Sequence, residues 1–247
     1  MKDLYAAARA LYIDAFPGED QAFIDALFAQ GFPHHLVAMG DNGKLVSMLF
    51  ALPYSIATEN GTIDAHYIYG VATNKEYRGK GYAKQLLAEV ASRGTPVFLR
   101  PMSPSLFSFY ESAGFVPFSP FSTVTGDVLP DDLAKTSGIQ RLSKDAYLTL
   151  RDTLLCKPHC RMSKDFLSLS FLDGGAIGAY GRFIALYELQ GDTVLFKEWF
   201  GNTADIPLAA AYLGATHYEA RYPDSKGTPF GVGIGIPEGT TFLAALD

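Results

Sequence analysis

The sequence predicts an α+β protein in which a mixed, mostly antiparallel sheet is flanked by helices. Three observations predict this class. The chain opens with apolar residues at helical spacing, hairpin turn signals then separate β-rich runs, and a glycine-rich loop leads from the last of these runs into another helix. Hydrophobic residues make up 48% of the 247 positions, so the chain can bury a sizeable core.

Two helices are predicted at the start of the chain. Apolar residues recur at a spacing of three or four on one face of the first helix, namely Leu4, Ala8, Leu11 and Ala15. Pro17 and Gly18 interrupt this pattern. Asp20 then suits the N-cap of a second helix, because its carboxylate can accept hydrogen bonds from free backbone N–H groups.

Three consecutive antiparallel strands are predicted next. Hairpin signals at Asp41-Asn42-Gly43 and Asn60-Gly61 separate β-rich runs at 36–39, 45–50 with 54–56, and 63–72. The last run is rich in Tyr, Ile and Val, so we expect it to be central and buried. This half of the chain is completed by a helix from Ala83, a short strand at 97–99, a helix started by Ser103-Pro104 and a strand from Phe115.

The second half is predicted to contain helices at 143–155, 163–172 and 208–213, and strands at 176–179, 183–189, 194–200, 216–221 and 230–236. Its element order loosely repeats that of the first half. Pro120 and the stretch 126–137, with its Asp and Pro residues, are typical of a linker. We therefore expect two domains, 1–120 and 121–247.

The composition argues against several kinds of partner. The net charge is −6, which disfavours nucleic acid, because phosphate contacts need a basic face. The chain start lacks the apolar segment of a signal peptide, and no apolar run could span a bilayer, so we expect a cytoplasmic protein without a membrane partner. Cys156 and Cys160 have no second ligand pair, and we expect neither a disulfide framework nor a metal.

The stretch 71–83 is the most informative part of the sequence. Gly79 and Gly81 lie where a strand and loop enter a helix, so backbone N–H groups could converge there on an anion. Four cationic residues cluster around them, namely Lys75, Arg78, Lys80 and Lys84. A phosphate-bearing ligand and a glycine-rich turn with solvated lysines both explain this composition. The dinucleotide fingerprint fits worse, because its third glycine would fall at Lys84.

Two motifs carry a family resemblance. Arg78 to Ala83 resembles the Arg/Gln-x-x-Gly-x-Gly/Ala motif of the GNAT acetyltransferase superfamily, and Tyr110 to Phe115 resembles its Tyr-x-x-x-Gly-Phe signature. The element order up to Phe118 also matches. The resemblance covers roughly half the chain and implies a GNAT fold for 1–120.

The resemblance implies direct transfer of an acetyl group from acetyl-CoA to a small-molecule or peptide amine. In that family the strand before the loop splays from its neighbour, and the backbone of Val71 and Thr73 would bind the pantetheine arm. The Val71 N–H would polarise the thioester carbonyl. Tyr110 would act as the general acid. The implied cofactor-binding residues are Val71, Ala72, Thr73, Arg78, Gly79, Lys80, Gly81, Tyr82 and Ala83.

The sequence departs from the family pattern in two places. Ser103 stands where an asparagine often precedes the tyrosine. In addition, counting back by two from Val71 selects Tyr69, Tyr67 and Ala65 as inward positions, and none is a carboxylate. No general base is therefore assigned. Deprotonation through ordered water, or binding of an already neutral amine, would need none.

The second half resembles a degenerate GNAT domain without the cofactor motif, as in tandem members of the superfamily. In some of these a C-terminal carboxylate reaches the active site, a role that Asp247 would fill here. Trp199 is interpreted as a core residue. A second function stays open, a non-catalytic module that binds or senses acyl-CoA, and so does the oligomeric state.

Overall fold

In the computed structural model, which describes residues 2–245, the first half of the chain forms its elements in the predicted order. They are α1 (Lys2–Ala15), α2 (Gln21–Ala29), β1 (Leu36–Asp41), β2 (Lys44–Thr58), β3 (Gly61–Thr73), α3 (Tyr82–Ala91), β4 (Val97–Leu99), α4 (Pro104–Glu111) and β5 (Val116–Asp127). Asp20 caps α2 as expected, because its carboxylate accepts hydrogen bonds from the backbone N–H groups of Ala22 and Phe23.

The second half is richer in structure than the sequence indicates. Its elements are α5 (Pro130–Leu133), β6 (Ile139–Leu142), α6 (Lys144–Leu154), β7 (His159–Arg161), α7 (Lys164–Ser170), β8 (Gly174–Ala179), β9 (Phe183–Gln190), β10 (Thr193–Gly201), α8 (Ile206–Tyr212), β11 (His217–Pro223) and β12 (Thr228–Ile234). Every helix and strand predicted for this half is present, within a few residues of its predicted bounds. The elements α5, β6 and β7 were not predicted.

The described residues divide into two compact units. Unit 1 consists of 2–56, 62–117 and 232–237, and unit 2 of 57–61, 118–231 and 238–245. The segment 232–237 thus joins a unit whose other residues lie more than a hundred positions earlier in the chain.

Unit 1 contains a mixed sheet whose neighbouring strands are β1, β2, β3, β4 and the last part of β12. β1 and β2 are antiparallel, β3 and β4 are parallel, and residues Val232 to Ile234 of β12 run antiparallel to β4. One face of the sheet is covered by α3 and α4. Their side chains share an apolar cluster with the strands, which includes Leu49, Ile68, Leu86, Val90, Leu99 and Tyr110.

A single long strand replaces the two β-rich runs that flank Pro53. β2 continues through this proline from Lys44 to Thr58. The pairing of β1 with β2 begins at Leu36–Phe50, so Pro53 lies beyond the paired stretch and its missing N–H removes no hydrogen bond of that ladder. Its side chain is exposed.

Strand β3 loses its strict alternation at Gly70. The rings of Tyr67 and Tyr69 stack on one face, with centroids 6.3 Å apart. Alternation would place Val71 on that face too, but Val71 packs against the cluster that contains Ile68. Gly70 has a φ of 61°, a left-handed conformation that allows such a change within a strand. The period-two assignment of Val71 to the face of Tyr69 is therefore wrong.

Unit 2 contains a sheet in the order β5, β11, β10, β9, β8 and β6, in which β10 and β11 are parallel. Trp199 is fully buried and stacks on Phe183 with ring centroids 4.5 Å apart, which confirms its role in the core. The predicted linker is wrong at its start, since Pro120 and Gly126 both lie inside β5. β5 pairs with β11 from Phe121 onward, so Pro120 precedes the ladder and its lack of an N–H costs no ladder bond.

A buried ion pair crosses the interior of unit 2. Two guanidinium nitrogens of Arg151 on α6 each lie 2.7 Å from a carboxylate oxygen of Glu198 on β10. Tyr147 donates a third hydrogen bond to this carboxylate, and Arg151 donates another to the carbonyl of Cys160. Because Arg151 and Glu198 are at most 2% exposed, this pairing offsets the high cost of removing both charges from water.

Candidate functional site

The parallel strands β3 and β4 separate soon after they meet. Their register consists of two pairs, His66–Val97 and Tyr67–Phe98. β3 continues for six more residues to Thr73, whereas β4 ends at Leu99. The splay that the resemblance implied is therefore present, and the end of β3 offers backbone groups to an added extended segment.

A cleft of about 480 Å³ lies beside this end of β3. It is lined by the end of β3, the loop that follows it, the first turn of α3, and α4. Its lining residues are Val71, Thr73, Tyr77, Arg78, Gly79, Gly81, Tyr82, Ala83, Lys84, Leu106, Phe109 and Tyr110. The cleft therefore combines the end of a strand, a glycine loop with Arg78, the first turn of α3 with Lys84, and an apolar helix face.

Local hydrogen bonds and two glycines determine the conformation of the loop between β3 and α3. Asn74 caps a 3₁₀ turn at Lys75–Tyr77, and the Arg78 Nε donates to the Thr73 carbonyl at 3.0 Å. Gly79 and Gly81 have φ values of 76° and 83°. A Cβ at Gly79 would meet no atom within 4 Å, so the space above the loop is clear.

The N-terminus of α3 is available to an anion. Gly81 is the N-cap, and no side chain caps it. The first backbone N–H groups of a helix have no partner within the helix and carry partial positive charge. Together with Arg78 and Lys84 on the cleft wall, this end of the cleft suits phosphate oxygens.

The four clustered cations, three in the loop and Lys84 on α3, differ in their surroundings. Lys75 forms an ion pair with Asp14 at 2.7 Å, so its charge is compensated. Lys80 lies over the ring of Tyr77, 4.7 Å from the centroid, and Lys84 lies 5.9 Å from the ring centroid of Phe109. The sequence cluster thus places two residues, Arg78 and Lys84, on the cleft wall.

Seven of the nine predicted cofactor-binding residues line this cleft, and so does Tyr110. Ala72 and Lys80 lie outside the lining. The side chain of Ala72 is buried and its carbonyl accepts a hydrogen bond from Ser47. Sequence reasoning missed Tyr77, Leu106 and Phe109, although helical spacing from Tyr110 would have placed Leu106 one turn earlier on the same face.

Tyr110 is buried at the wall of the cleft, with 7% of its surface exposed. Its ring makes edge contacts with Phe109 and Phe115. Burial raises the pKa of Tyr110 to about 12. The phenol therefore stays protonated at neutral pH and can donate a hydrogen bond, but it is a weaker acid than its ordinary pKa near 10 implies.

Other residues singled out in the sequence lie away from this cleft. His66 hydrogen-bonds Thr95 on the segment after α3, and Asp64 is exposed. Both cysteines are free thiols, and the described residues contain no cluster of three or more metal-ligating side chains. Within 2–245, no helix is long and apolar enough to cross a membrane. Asp247 lies outside the described residues.

Comparison with protein-family models agrees with the family resemblance of the two sequence motifs. Residues 2–118 match the model described as an acetyltransferase (GNAT) domain. This match covers just under half of the chain and agrees with the GNAT resemblance of its two motifs. Comparison with curated proteins gives no match.

Several solved structures have a similar fold over nearly the whole length of this chain. A conserved protein from Enterococcus faecalis V583, described as a probable N-acyltransferase, is 16% identical with a TM-score of 0.70, over 94% of this chain and 69% of that one. A GCN5-related N-acetyltransferase from Kribbella flavida is 12% identical, with a TM-score of 0.67 over 94% and 70%. A putative acetyltransferase from Pyrococcus horikoshii is 12% identical, with a TM-score of 0.63 over 95% and 87%. Both units of this chain thus share the fold of these proteins.

Proposed function

We propose that the chain is an acetyl-CoA-dependent N-acetyltransferase that transfers the acetyl group directly to an amine. The observation that carries this proposal is the cleft at the end of β3. A splayed strand edge, an uncapped helix N-terminus and an apolar helix face adjoin there within unit 1. These three features match the three chemical parts of the cofactor, an amide-bearing arm, a pyrophosphate and a thioester.

The residues fit this cofactor. The backbone of Val71 and Thr73 lies in the part of β3 beyond its pairing with β4, where it can bind the amides of pantetheine as an added strand would. The loop from Arg78 to Ala83 would bind the pyrophosphate through backbone N–H groups. The φ values at Gly79 and Gly81 and the clear space at Gly79 support this role, because a side chain there would crowd an anion.

Bound acetyl-CoA would supply the acetyl group as an activated thioester. The Val71 N–H would stabilise negative charge that develops on the carbonyl oxygen. Tyr110 would donate its hydroxyl hydrogen to the sulfur as the thiolate leaves. The protein otherwise acts by holding the acceptor nitrogen and the carbonyl carbon in position.

One observation favours a second function, an acyl-CoA-binding module without turnover. The raised pKa of Tyr110, about 12, lies well above that of a thiol near 8.5, so complete proton transfer from the phenol to the thiolate is uphill. A hydrogen bond to the sulfur still lowers the barrier, which is why transfer is the preferred proposal. The acceptor class, the oligomeric state and the cytoplasmic location stay predictions.

The two functions are separated by two measurements on the wild-type protein. Acetyl-CoA should raise the melting temperature, whereas ATP and NAD should raise it less, because neither has a pantetheine arm for the open end of β3. Thiol release detected with Ellman's reagent, across a panel of primary amines and peptides, should show turnover. A melting shift without turnover of any amine would support the binding module. The absence of both would contradict the cofactor assignment.

A further inference from the structure

An aromatic group packs on the face of β3 that carries Tyr69. The hydroxyl groups of Tyr69 and of Tyr12 on α1 are 2.7 Å apart and share a hydrogen bond. The ring of Tyr67 stacks beside Tyr69, while Phe50 contacts the ring of Tyr12. Val71 packs instead with the cluster of α3 and α4. The hydroxyl pair therefore lies on the other side of β3 from the cleft of the proposed cofactor.

The pair is also close to the backbone that would polarise the thioester. A Cβ placed at Gly70 would lie 3.2 Å from Cε2 of Tyr12 and 3.1 Å from Cδ2 of Phe50. Glycine at this position lets the Tyr12 ring approach the peptide directly before Val71. An acceptor that reaches the open end of β3 from this face passes the hydroxyl of Tyr69.

A carboxylate lies at the far end of the pair. Beyond the effect of burial, Glu19 in the connection between α1 and α2 raises the pKa of Tyr12 by its charge and by a side-chain hydrogen bond, and its charge also raises the pKa of Tyr69. Glu19 is partly exposed, whereas Tyr12 is fully buried. The three side chains thus form a continuous polar path from the face of β3 to solvent.

We infer that Tyr69, Tyr12 and Glu19 bind the acceptor amine as its ammonium ion and carry away its proton. This inference rests on the proposed function, and it supplies the proton acceptor that the β3 sequence lacks. Tyr69 is the residue that touches the acceptor, while Tyr12 and Glu19 act through it as positioning residues.

The proton transfer is balanced along this path. One N–H bond of the ammonium breaks, its electron pair stays on nitrogen, and the proton goes to the Tyr69 oxygen. The Tyr69 proton passes to the Tyr12 oxygen, and the Tyr12 proton passes to the Glu19 carboxylate. The freed electron pair forms the new bond to the carbonyl carbon, and the C–S bond breaks with its electron pair on sulfur, which takes the Tyr110 proton. The acylated nitrogen then loses its second proton to the Tyr110 oxygen, and Glu19 releases its proton to water after the transfer.

The surroundings of Tyr69 and Tyr12 keep both hydroxyl groups protonated, as transfer along the path requires. Burial, followed by the nearby Tyr12 and Glu19, raises the pKa of Tyr69, and burial also raises that of Tyr12. Both hydroxyls therefore remain protonated and can each accept one proton while passing on another. Among Tyr12, Tyr67 and Glu19, the titratable groups that act on Tyr69, Glu19 is the charged one, and its charge favours a cation. Aromatic ring faces favour a cation as well.

The test uses the full chain and one alkyl amine that the wild type acetylates. The variants are Tyr69→Phe, Tyr12→Phe and Glu19→Gln, with Tyr67→Phe as a matched control on the same strand and face. At pH 7 we expect kcat/KM for the amine to fall roughly 10²-fold in Tyr69→Phe and roughly 10-fold in the other two path variants. The control should stay within about twofold of the wild type.

The pH profile separates proton transfer from a structural role. The wild type accepts the ammonium ion, so its kcat/KM should stay nearly flat below the pKa of the amine. The path variants depend more on the neutral amine, so their kcat/KM should rise with pH toward the wild-type value. A pH-independent loss, accompanied by a smaller acetyl-CoA melting shift, would overturn the inference and make the three residues structural.

Failure of this inference is distinguishable from failure of the proposed function. If all three path variants keep wild-type activity at every pH, the proton path is ruled out and the proposed acetyltransferase function stands. If the wild type acetylates no amine, both the path and the proposed function are ruled out. The melting shift with acetyl-CoA reports cofactor binding separately in each variant.

Discussion

Strands β3 and β10 have the same place in their own units but lead into different loops. Each has a neighbour that runs parallel to it, β4 or β11, and each carries an irregularity before its end, at Gly70 or between Phe196 and Glu198. Each is followed by a 3₁₀ turn with an asparagine N-cap, Asn74 or Asn202, and then by a helix. The second unit thus repeats this part of the first.

The difference between the two repeats is a four-residue segment. In unit 1, Arg78 to Gly81 lie between the 3₁₀ turn and α3. In unit 2, the turn ends at Asp205 and α8 begins at the next residue. Two left-handed glycines and two cations are therefore present in one repeat and missing from the other. The strand, turn and helix are therefore shared by both units, and the groups proposed to bind an anion lie in the segment that unit 2 lacks.

The irregular strands also carry different side chains. β3 presents the Tyr69 hydroxyl, which meets Tyr12, while β10 presents Glu198, which is held by Arg151. The pair in unit 2 is satisfied by four hydrogen bonds and is fully buried. This suits a structural interior, because a buried charge pair with complete hydrogen bonding has little freedom to exchange protons with a ligand.

The largest effect is expected from adding a carboxylate to the inserted segment. Gly81→Asp strains a left-handed position and places negative charge where phosphate would bind. The acetyl-CoA melting shift should disappear. Gly214→Asp in unit 2 is the matched control, since Gly214 has a φ of 79° and open space around it. An unchanged shift in Gly81→Asp would place the cofactor elsewhere.

A large but purely structural effect is expected from opening the ion pair of unit 2. Arg151→Met leaves the Glu198 carboxylate buried without its cation, so the free energy of unfolding should fall by about 3–5 kcal/mol in urea denaturation. The acetyl-CoA melting shift should persist. Adding Glu198→Leu should recover part of the stability, and further loss in the double variant would contradict this account.

Tyr110→Phe tests the chemical role of the cleft. The ring packing is kept while the hydroxyl is lost, so acetyl-CoA affinity should change little. The value of kcat should fall by roughly 10²-fold, which corresponds to about 2.7 kcal/mol. Tyr212→Phe, on α8 of unit 2, is the control that should leave kcat unchanged. Full activity in Tyr110→Phe would remove this residue from the mechanism.

The smallest effect concerns stability in alkali. The pKa of Tyr110 is about 12 in the folded chain and near 10 when unfolded, so its contribution to stability is complete below pH 10 and is lost as the pH rises toward 12. Above pH 10 the free energy of unfolding of the wild type should fall by about 1.4 kcal/mol per pH unit more than that of Tyr110→Phe. Parallel curves in chemical denaturation would show that Tyr110 is not the buried acid described.

Local signals predicted much of the fold and of the cofactor cleft. Helical spacing, the Asp20 cap and two hairpin turns depend on neighbouring residues, so the element order could be inferred without tertiary contacts. The loop from Arg78 to Gly81 is likewise a contiguous stretch. All four of its residues were predicted to bind the cofactor, and three of them line the cleft, whereas Lys80 does not. Strand β6 was missed because four residues carry too weak a period to detect.

The sequence by itself determined the class of fold, the glycine loop and the position of Tyr110, because each is encoded within a short stretch of the chain. Tertiary structure alone decided which distant residues meet. It brought Tyr12 and Glu19 to Tyr69, joined 232–237 to unit 1, and buried Arg151 with Glu198. It also turned Val71 away from Tyr69, since the left-handed backbone of Gly70 is a property of the folded strand that alternation cannot predict.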